Sequence, residues 1–302
     1  MDFAHELVVL TKRRRVIYKR QCSFYVHTQL KTRRRFRVAI TLTVFIVIFS
    51  VFLHELGHAL YMRKYGIAIK TFSVGLPFPL KIKFSSEKVF GGATIQLTPL
   101  LLGAFVEPTE EGGKRMQGLS YYRQADIYGA GPLANLLFAA GLLLGFFLYV
   151  QILTVSHLGF VAVLWNMKIV VPLIILFGLY FGRKLFSRFL MHIAGIALLV
   201  LTAWLMFKDP TNAVMGPIGM GKLVGDFAVN YPKAIYLAAI FSGAIGAMNM
   251  LPLFPLDGGQ SVNAFLRSIG MKRIGSVFTT VSGYMFLGLI LWAITSDFVR
   301  IF

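Results

Sequence analysis

The chain has almost no cysteine, little charge and few acids. Of 302 residues one is a cysteine, Cys22. A single thiol cannot close an intrachain disulfide, and it lacks the partners of a thiolate metal site. Charged residues make up 14% of the sequence, against roughly a quarter in soluble domains, which excludes an ordinary soluble fold. Acids are scarcer still, with 12 Asp and Glu against 31 Lys and Arg. No tandem repeat, low-complexity linker or separate soluble domain is visible. A cleavable signal peptide is not expected, since residues 1–37 lack an early apolar core followed by a small-residue cleavage site. The remainder is 57% hydrophobic, with a mean hydropathy of +0.71. Such a chain reads as one all-α polytopic membrane unit.

A spanning helix needs about 20 mostly apolar residues. By that measure the sequence predicts about six: 38–61, 127–154, 158–181, 189–207, 234–251 and 275–294. Lys168 interrupts the third, and its side chain is expected to snorkel to the interface. Residues 63–126 are polar and broken by Gly and Pro. Within them Leu80–Ser85 alternates as Leu-Lys-Ile-Lys-Phe-Ser, and Ala93–Leu97 follows after Gly91-Gly92. That pattern predicts a short membrane-associated β-hairpin. The chain thus divides into a basic tail, 1–37, and a membrane unit, 38–302, with the hairpin region at about 71–106 and two further helices at about 158–207.

The charge-free run Val38–Leu53 ends on His54-Glu55-Leu56-Gly57-His58. On a helix, positions i and i+4 share a face, so both imidazoles can bind one metal ion. The glutamate between them can take a proton from a water at that metal. Ionisable groups inside a membrane segment are costly and usually functional. The other acid borne by a membrane motif is Asp257, which closes Asn249-Met250-Leu251-Pro252-Leu253-Phe254-Pro255-Leu256-Asp257-Gly258-Gly259. Two prolines and two glycines there oppose a regular helix. Broken backbone at membrane depth is tolerated where it is buried in protein or lines a cavity. A catalytic zinc takes three protein ligands and keeps one position open. His54, His58 and Asp257 supply the three for one Zn²⁺ ion, and Glu55 is left as the base. Asp126 and Asp297 fall at segment edges and need no role. His27, His157 and His192 read as interfacial or packing residues.

These motifs resemble the site-2 protease family of intramembrane zinc metalloproteases. His54–His58 matches its HExxH, and Asn249–Gly259 its NxxPxxPxDGG. Gly131-Pro132-Leu133-Ala134-Asn135 resembles its GPxxN. Gly216-Pro217-Ile218-Gly219 resembles the GPxG element of the bacterial RseP-like branch, and Leu97–Val106 that branch's PLGGYV strand, with Ala and Phe for Gly and Tyr. Order and direction agree from residue 38 to 275. The resemblance implies a three-helix metalloprotease core that cleaves a substrate's transmembrane helix within the bilayer. It implies that the hairpin near 80–106 holds the substrate extended, and that Asn249 bonds the substrate backbone. Asn135 is a second candidate for substrate contact, or a bond across helices. The chain departs from the RseP-like branch in lacking a recognisable PDZ domain, so PDZ gating is not available to it. A non-catalytic binder of membrane helices and a zinc transporter remain alternatives of other classes. The first is disfavoured because Glu55 and all three ligands are present, the second by the few polar residues along the helices.

Net charge is +19, and residues 1–37 carry eleven Lys and Arg against Asp2 and Glu6. Beside a membrane segment these runs predict a topology signal or contact with anionic lipid, and no nucleic acid. The loops point the other way from the tail. Segments 63–126, 182–188 and 258–274 hold nine, three and three Lys and Arg, while 155–157 and 208–233 hold none and three. Positive charge inside then puts the first three in the cytoplasm and the site toward it. The expected partner is a single-span membrane protein, and the expected location a bacterial-type plasma membrane.

Overall fold

A computed structural model of the chain describes residues 41, 44–75, 78–85, 91–99, 103–154, 167–209 and 231–301. The basic tail, the GPxG element and the loop 210–230 lie outside the described residues.

Helix α1, Val44–Lys64, has no Lys or Arg until Arg63 and carries the His-Glu-x-x-His pentad. Its end is chemically marked. Gly66, at φ 69°, turns the chain, Gly66 N–H donates to Arg63 O at 3.0 Å and Ile67 N–H to Met62 O at 2.9 Å. This paired closure satisfies carbonyls left free at a helix end, and Met62 and Ile67 bury together beside it.

The chain then forms a four-stranded sheet, in the order β2-β3-β1-β4. The strands are β1 (Ile69–Val74), β2 (Ile82–Ser85), β3 (Thr94–Leu97) and β4 (Ala104–Pro108). The expected hairpin is present as the antiparallel pair β2–β3, with Phe84 opposite Ile95. It is half of a larger sheet: β1 pairs parallel with β3 and antiparallel with β4. Phe72 on β1 is 2% exposed and meets Phe52 of α1 edge-on, ring centres 5.6 Å apart. The sheet is thereby fixed to the helix that carries the histidines.

Helix α2 (Glu110–Gln117) was not expected in this polar interval. Its determinants are local: Thr109 accepts from Gly112 N–H, Glu110 and Glu111 occupy the first turn, and Lys114 and Arg115 the last. Helix α3 (Tyr121–Thr154) starts one and a half turns before the expected boundary. Gln124 secures that polar start, donating to Leu119 O at 2.7 Å. Helices α4 (Met167–Phe181), α5 (Arg183–Lys208), α6 (Tyr231–Met250), α7 (Asp257–Ser268) and α8 (Lys272–Ile301) follow. α5 contains a π-helical turn at Phe186–Leu190. Residues 258–274, expected as a loop, instead hold most of α7, an amphipathic helix that buries Gly258, Ser261 and Ala264.

Among the described residues four helices are long and apolar enough to cross a membrane: Val44–Lys64, Tyr121–Val150, Arg183–Lys208 and Lys272–Val299. The segments expected at 158–181 and 234–251 contain the shorter apolar helices Val170–Phe181 and Ala234–Met250. Large apolar side chains point outward, Ile193 65% and Tyr284 72% exposed, as a lipid-facing surface requires. α3 packs against α4, α6 and α7. The two helices at 158–207 are not all peripheral, because Met191 of α5 is fully buried with Leu133 and Met250.

Candidate metal centre

Two helices deliver the three ligand groups, and a third packs against them. α1 presents His54 and His58 one turn apart, rings 4.8 Å centre to centre. α3 crosses α1 beside them. Gly131 makes the crossing possible, since a Cβ there would fall onto both imidazole Nε2 atoms. The glycine of the GPxxN motif therefore clears the space the site occupies. Asp257 comes from the first turn of α7, where a carboxylate is favoured by the helix N-terminus. The chain reaches it through the irregular stretch 251–256, which includes a cis Phe254–Pro255 bond. Gly258 and Gly259 lie directly on the backbone of Met250–Phe254, leaving no room for side chains. Behind this stretch stands α5, whose Gly195 meets the Met250 carbonyl and Pro252.

His54, His58 and Asp257 are 5%, 7% and 7% exposed. Asp257 Oδ2 lies 3.0 Å from His54 Nε2 and 3.2 Å from His58 Nε2, and the possible ligand atoms all fall within 4.8 Å of one another. The partners on the outer edge of each ring decide where its proton sits. His58 Nδ1 lies 2.8 Å from Ile127 O and donates to it, which leaves Nε2 as a lone pair when the ring is neutral. Behind His54, the Asn135 amide sits 3.4 Å from Nδ1. Asn135 Oδ1 is a buried acceptor with no partner. The amide orientation that places this oxygen on His54 Nδ1–H satisfies both groups and again frees Nε2. Two imidazole lone pairs and a carboxylate oxygen converging on one point call for a cation, and this donor set fits a single zinc ion.

Glu55 is not part of the cluster. Its carboxylate accepts from the backbone N–H of Val106 on β4 and faces a cavity of about 700 Å³ beside the cluster. The cavity is also lined by Phe105, Tyr128, Asn249, Gln260 and Arg267. Asn249 thus stands on the cavity wall, its Nδ2 donating to Ile245 O at 3.0 Å. Asn135 is fully buried on the far side of His54.

Asp126, given no role in the sequence reading, is 3% exposed. Tyr65 and Ser187 hydroxyls donate to it at 2.7 Å each, and Arg188 Nη2 lies at 3.2 Å. It ties α1, α3 and the π-helical turn of α5 together one residue before Ile127, whose carbonyl holds His58. The available signal was an acid opening an apolar segment with an arginine in the short charged link 182–188. His192 rests 3.0 Å from Ser261 Oγ and packs near Tyr121, inside the helix bundle.

Apolar helices around a buried His-His-Asp cluster define an integral membrane protein with a metalloprotease-type centre. The profile of peptidase family M50 matches residues 42–293, and the chain belongs to that family. Among curated proteins it is similar to three bacterial relatives, each named "Putative zinc metalloprotease". One from Borreliella burgdorferi is 31% identical over 116 residues, 33% of this chain and 25% of the relative. One from Campylobacter jejuni is 32% identical over 120 residues, 36% and 30% of the two chains. One from Streptococcus pneumoniae is 31% identical over 116 residues, 36% and 28%. The chain therefore spans between a quarter and a third of the length of these relatives.

Proposed function

We propose that the chain is a zinc-dependent endopeptidase that hydrolyses a peptide bond within or near a substrate's transmembrane helix. The observation that carries this reading is the convergence of three ligand atoms beside the Glu55 carboxylate on a cavity walled by an end strand of the sheet. His54, His58 and Asp257 would hold the ion, which when bound supplies a Lewis acid that polarises the scissile carbonyl. Glu55 takes the proton of the attacking water as its oxygen adds to the carbonyl carbon. The C–N bond breaks as Glu55 passes that proton to the leaving nitrogen. The Val106 N–H holds the Glu55 carboxylate toward the cavity during both transfers.

A helical substrate arrives with its carbonyls already hydrogen-bonded. β4 is an end strand of the sheet, and Ala104–Val106 line the cavity. An extended substrate segment can add to that edge and exchange helix bonds for strand bonds. Asn249, on the cavity wall, would bond the substrate backbone, and Asn135, 3.4 Å from His54 Nδ1, would orient that ring. Five residues separate His58 from Arg63, about 8 Å along α1. The reaction would therefore lie near one membrane face, which the loop charges assign to the cytoplasm of a bacterial-type plasma membrane. The substrate is a single-span membrane protein, and anionic lipid meets the basic tail.

The test is zinc content together with cleavage of a single-span substrate in detergent. Glu55→Gln keeps the shape and loses the base, so it should retain zinc and lose cleavage by at least about 10²-fold. Cleavage at the wild-type rate by Glu55→Gln would remove the mechanism. A wild-type protein that binds the substrate without cutting it would return the non-catalytic binder.

A further inference from the structure

Resting on the protease reading, we propose that Arg267 forms a subsite for a substrate carboxylate, set about four to five residues from the scissile bond. The argument starts from α7. Its Gly258, Ser261 and Ala264 face the protein interior, while Asp257, Gln260, Asn263 and Arg267 line the catalytic cavity. One face of a single helix thus runs from the metal cluster to a guanidinium. Ten residues at 1.5 Å per residue make that run about 15 Å. An extended peptide advances about 3.3 Å per residue, so the same distance spans four to five substrate residues.

Arg267 has no carboxylate partner among the described residues. The other cations near acids are already engaged: Lys70 with Glu107, Lys114 with Glu110 and Arg188 with Asp126. The two acids of the cavity, Glu55 and Asp257, stand at the opposite end of the rail. The arginine stem runs beside the start of α8. Its Cγ lies 3.9 Å from where a Cβ would stand on Gly275, a buried position at the start of α8. A cation lining a substrate cavity with no carboxylate partner among the described residues is suited to an anionic group, and the guanidinium fork matches a carboxylate. The same chemistry comes from an Asp or Glu side chain or from a chain end. The length of the run along α7 sets the position of the group as well as its charge.

The experiment uses the full-length zinc-loaded Glu55→Gln protein in detergent, which separates binding from chemistry. The probes are fluorescent single-span peptides with Asp, Asn or Lys four or five residues to either side of the scissile bond. Matched peptides end at that position in a free carboxylate or an amide. Asp should bind about five- to tenfold tighter than Asn on one side only, and the advantage should shrink with added salt. Arg267→Gln should bring the ratio to within about twofold, Arg267→Lys should keep most of it, and Arg267→Glu should turn the preference toward Lys. Preference for the free chain end alone would assign the terminal carboxylate as the source. No discrimination by the parent protein, or discrimination that survives Arg267→Gln, overturns the subsite, and the peptide comparison needs no variant to fold. The same peptides are then offered to the protein with Glu55 intact. Cleavage without discrimination sinks the subsite alone, and discrimination without cleavage sinks the protease reading alone.

Discussion

Two aspartates are buried beside the same pair of helices, and their surroundings differ in kind. Asp126 is 3% exposed and Asp257 is 7% exposed. Around Asp126 every neighbour brings a proton: two hydroxyls and a guanidinium point at its oxygens. The group is closed, and burial is compensated by charge-assisted hydrogen bonds. Around Asp257 the neighbours are imidazole nitrogens whose partners on the other ring edge are Ile127 O and the Asn135 amide. Ile127 O leaves the lone pair of a neutral His58 facing the carboxylate, the Asn135 oxygen does the same for His54 when it faces that ring, and a cavity opens on the same side. Burial of a carboxylate does not mark chemistry in this fold. The mark is which side of each neighbour carries the proton.

The comparison breaks most sharply at Asp257. Asp257→Ala removes a ligand and should lower zinc affinity by more than about 10²-fold and abolish cleavage. It should cost the metal-free protein less than the zinc-loaded one, since only the contacts of Asp257 Oδ2 with the two imidazoles are lost there. Zinc content and melting of the metal-free protein check both halves. An Asp257→Ala protein that keeps stoichiometric zinc would mean the third ligand lies elsewhere. Asp126→Asn should do the reverse. It keeps the shape but strips the charge that holds Arg188, whose side chain is 28% exposed, so the loss should be about 1–3 kcal/mol of stability. Zinc affinity should fall by only about tenfold, through the Ile127 carbonyl that fixes His58. If Asp126→Asn loses zinc as completely as Asp257→Ala while staying folded, the two aspartates are not distinct in role.

The legible parts of this molecule were those with local signals. Spacing placed His54 and His58 on one helix face, and a motif supplied Asp257. Alternation gave the β2–β3 hairpin, because its partners lie close in sequence. The pairing of β1 with β3 was not legible, since a parallel pair depends on contacts between distant segments and Ile69–Val74 alternates weakly. α7 was read as loop because its flanking Pro and Gly mark the break before it, while its first glycines are there for close packing and not for a turn. α3 was started late because Tyr121–Gln124 is polar, and a hydropathy window cannot see that Gln124 closes the preceding turn. Arg267 belongs to no motif, and its significance rests on which face of α7 meets the cavity. The partners of Asp126 come from two distant segments, the turn after α1 and the π-helical turn of α5, which no local reading joins.

A third carboxylate sharpens the contrast from the exposed side. Glu107 lies on β4 next to Val106 and pairs with Lys70 across to β1 at 2.8 Å, the two side chains 45% and 61% exposed. The hydrogen bond from the Lys70 ammonium holds the Glu107 carboxyl below the usual carboxylate range. A carboxyl whose folded pKa lies below its unfolded one adds stability that is present above the unfolded value. That contribution is lost as pH falls through the folded one. Solvent screens so open a pair, and Glu107→Gln should cost no more than about 0.5 kcal/mol at neutral pH, with the difference vanishing in acid. Melting of both proteins at neutral pH and near pH 3 reads this directly, and added salt should shrink the neutral-pH gap. Zinc content should stay unchanged. A Glu107→Gln effect as large as that of Asp126→Asn would show that the β4 edge carries strain the pair relieves. The contrast among the three carboxylates would then have to be drawn by strand position and not by burial.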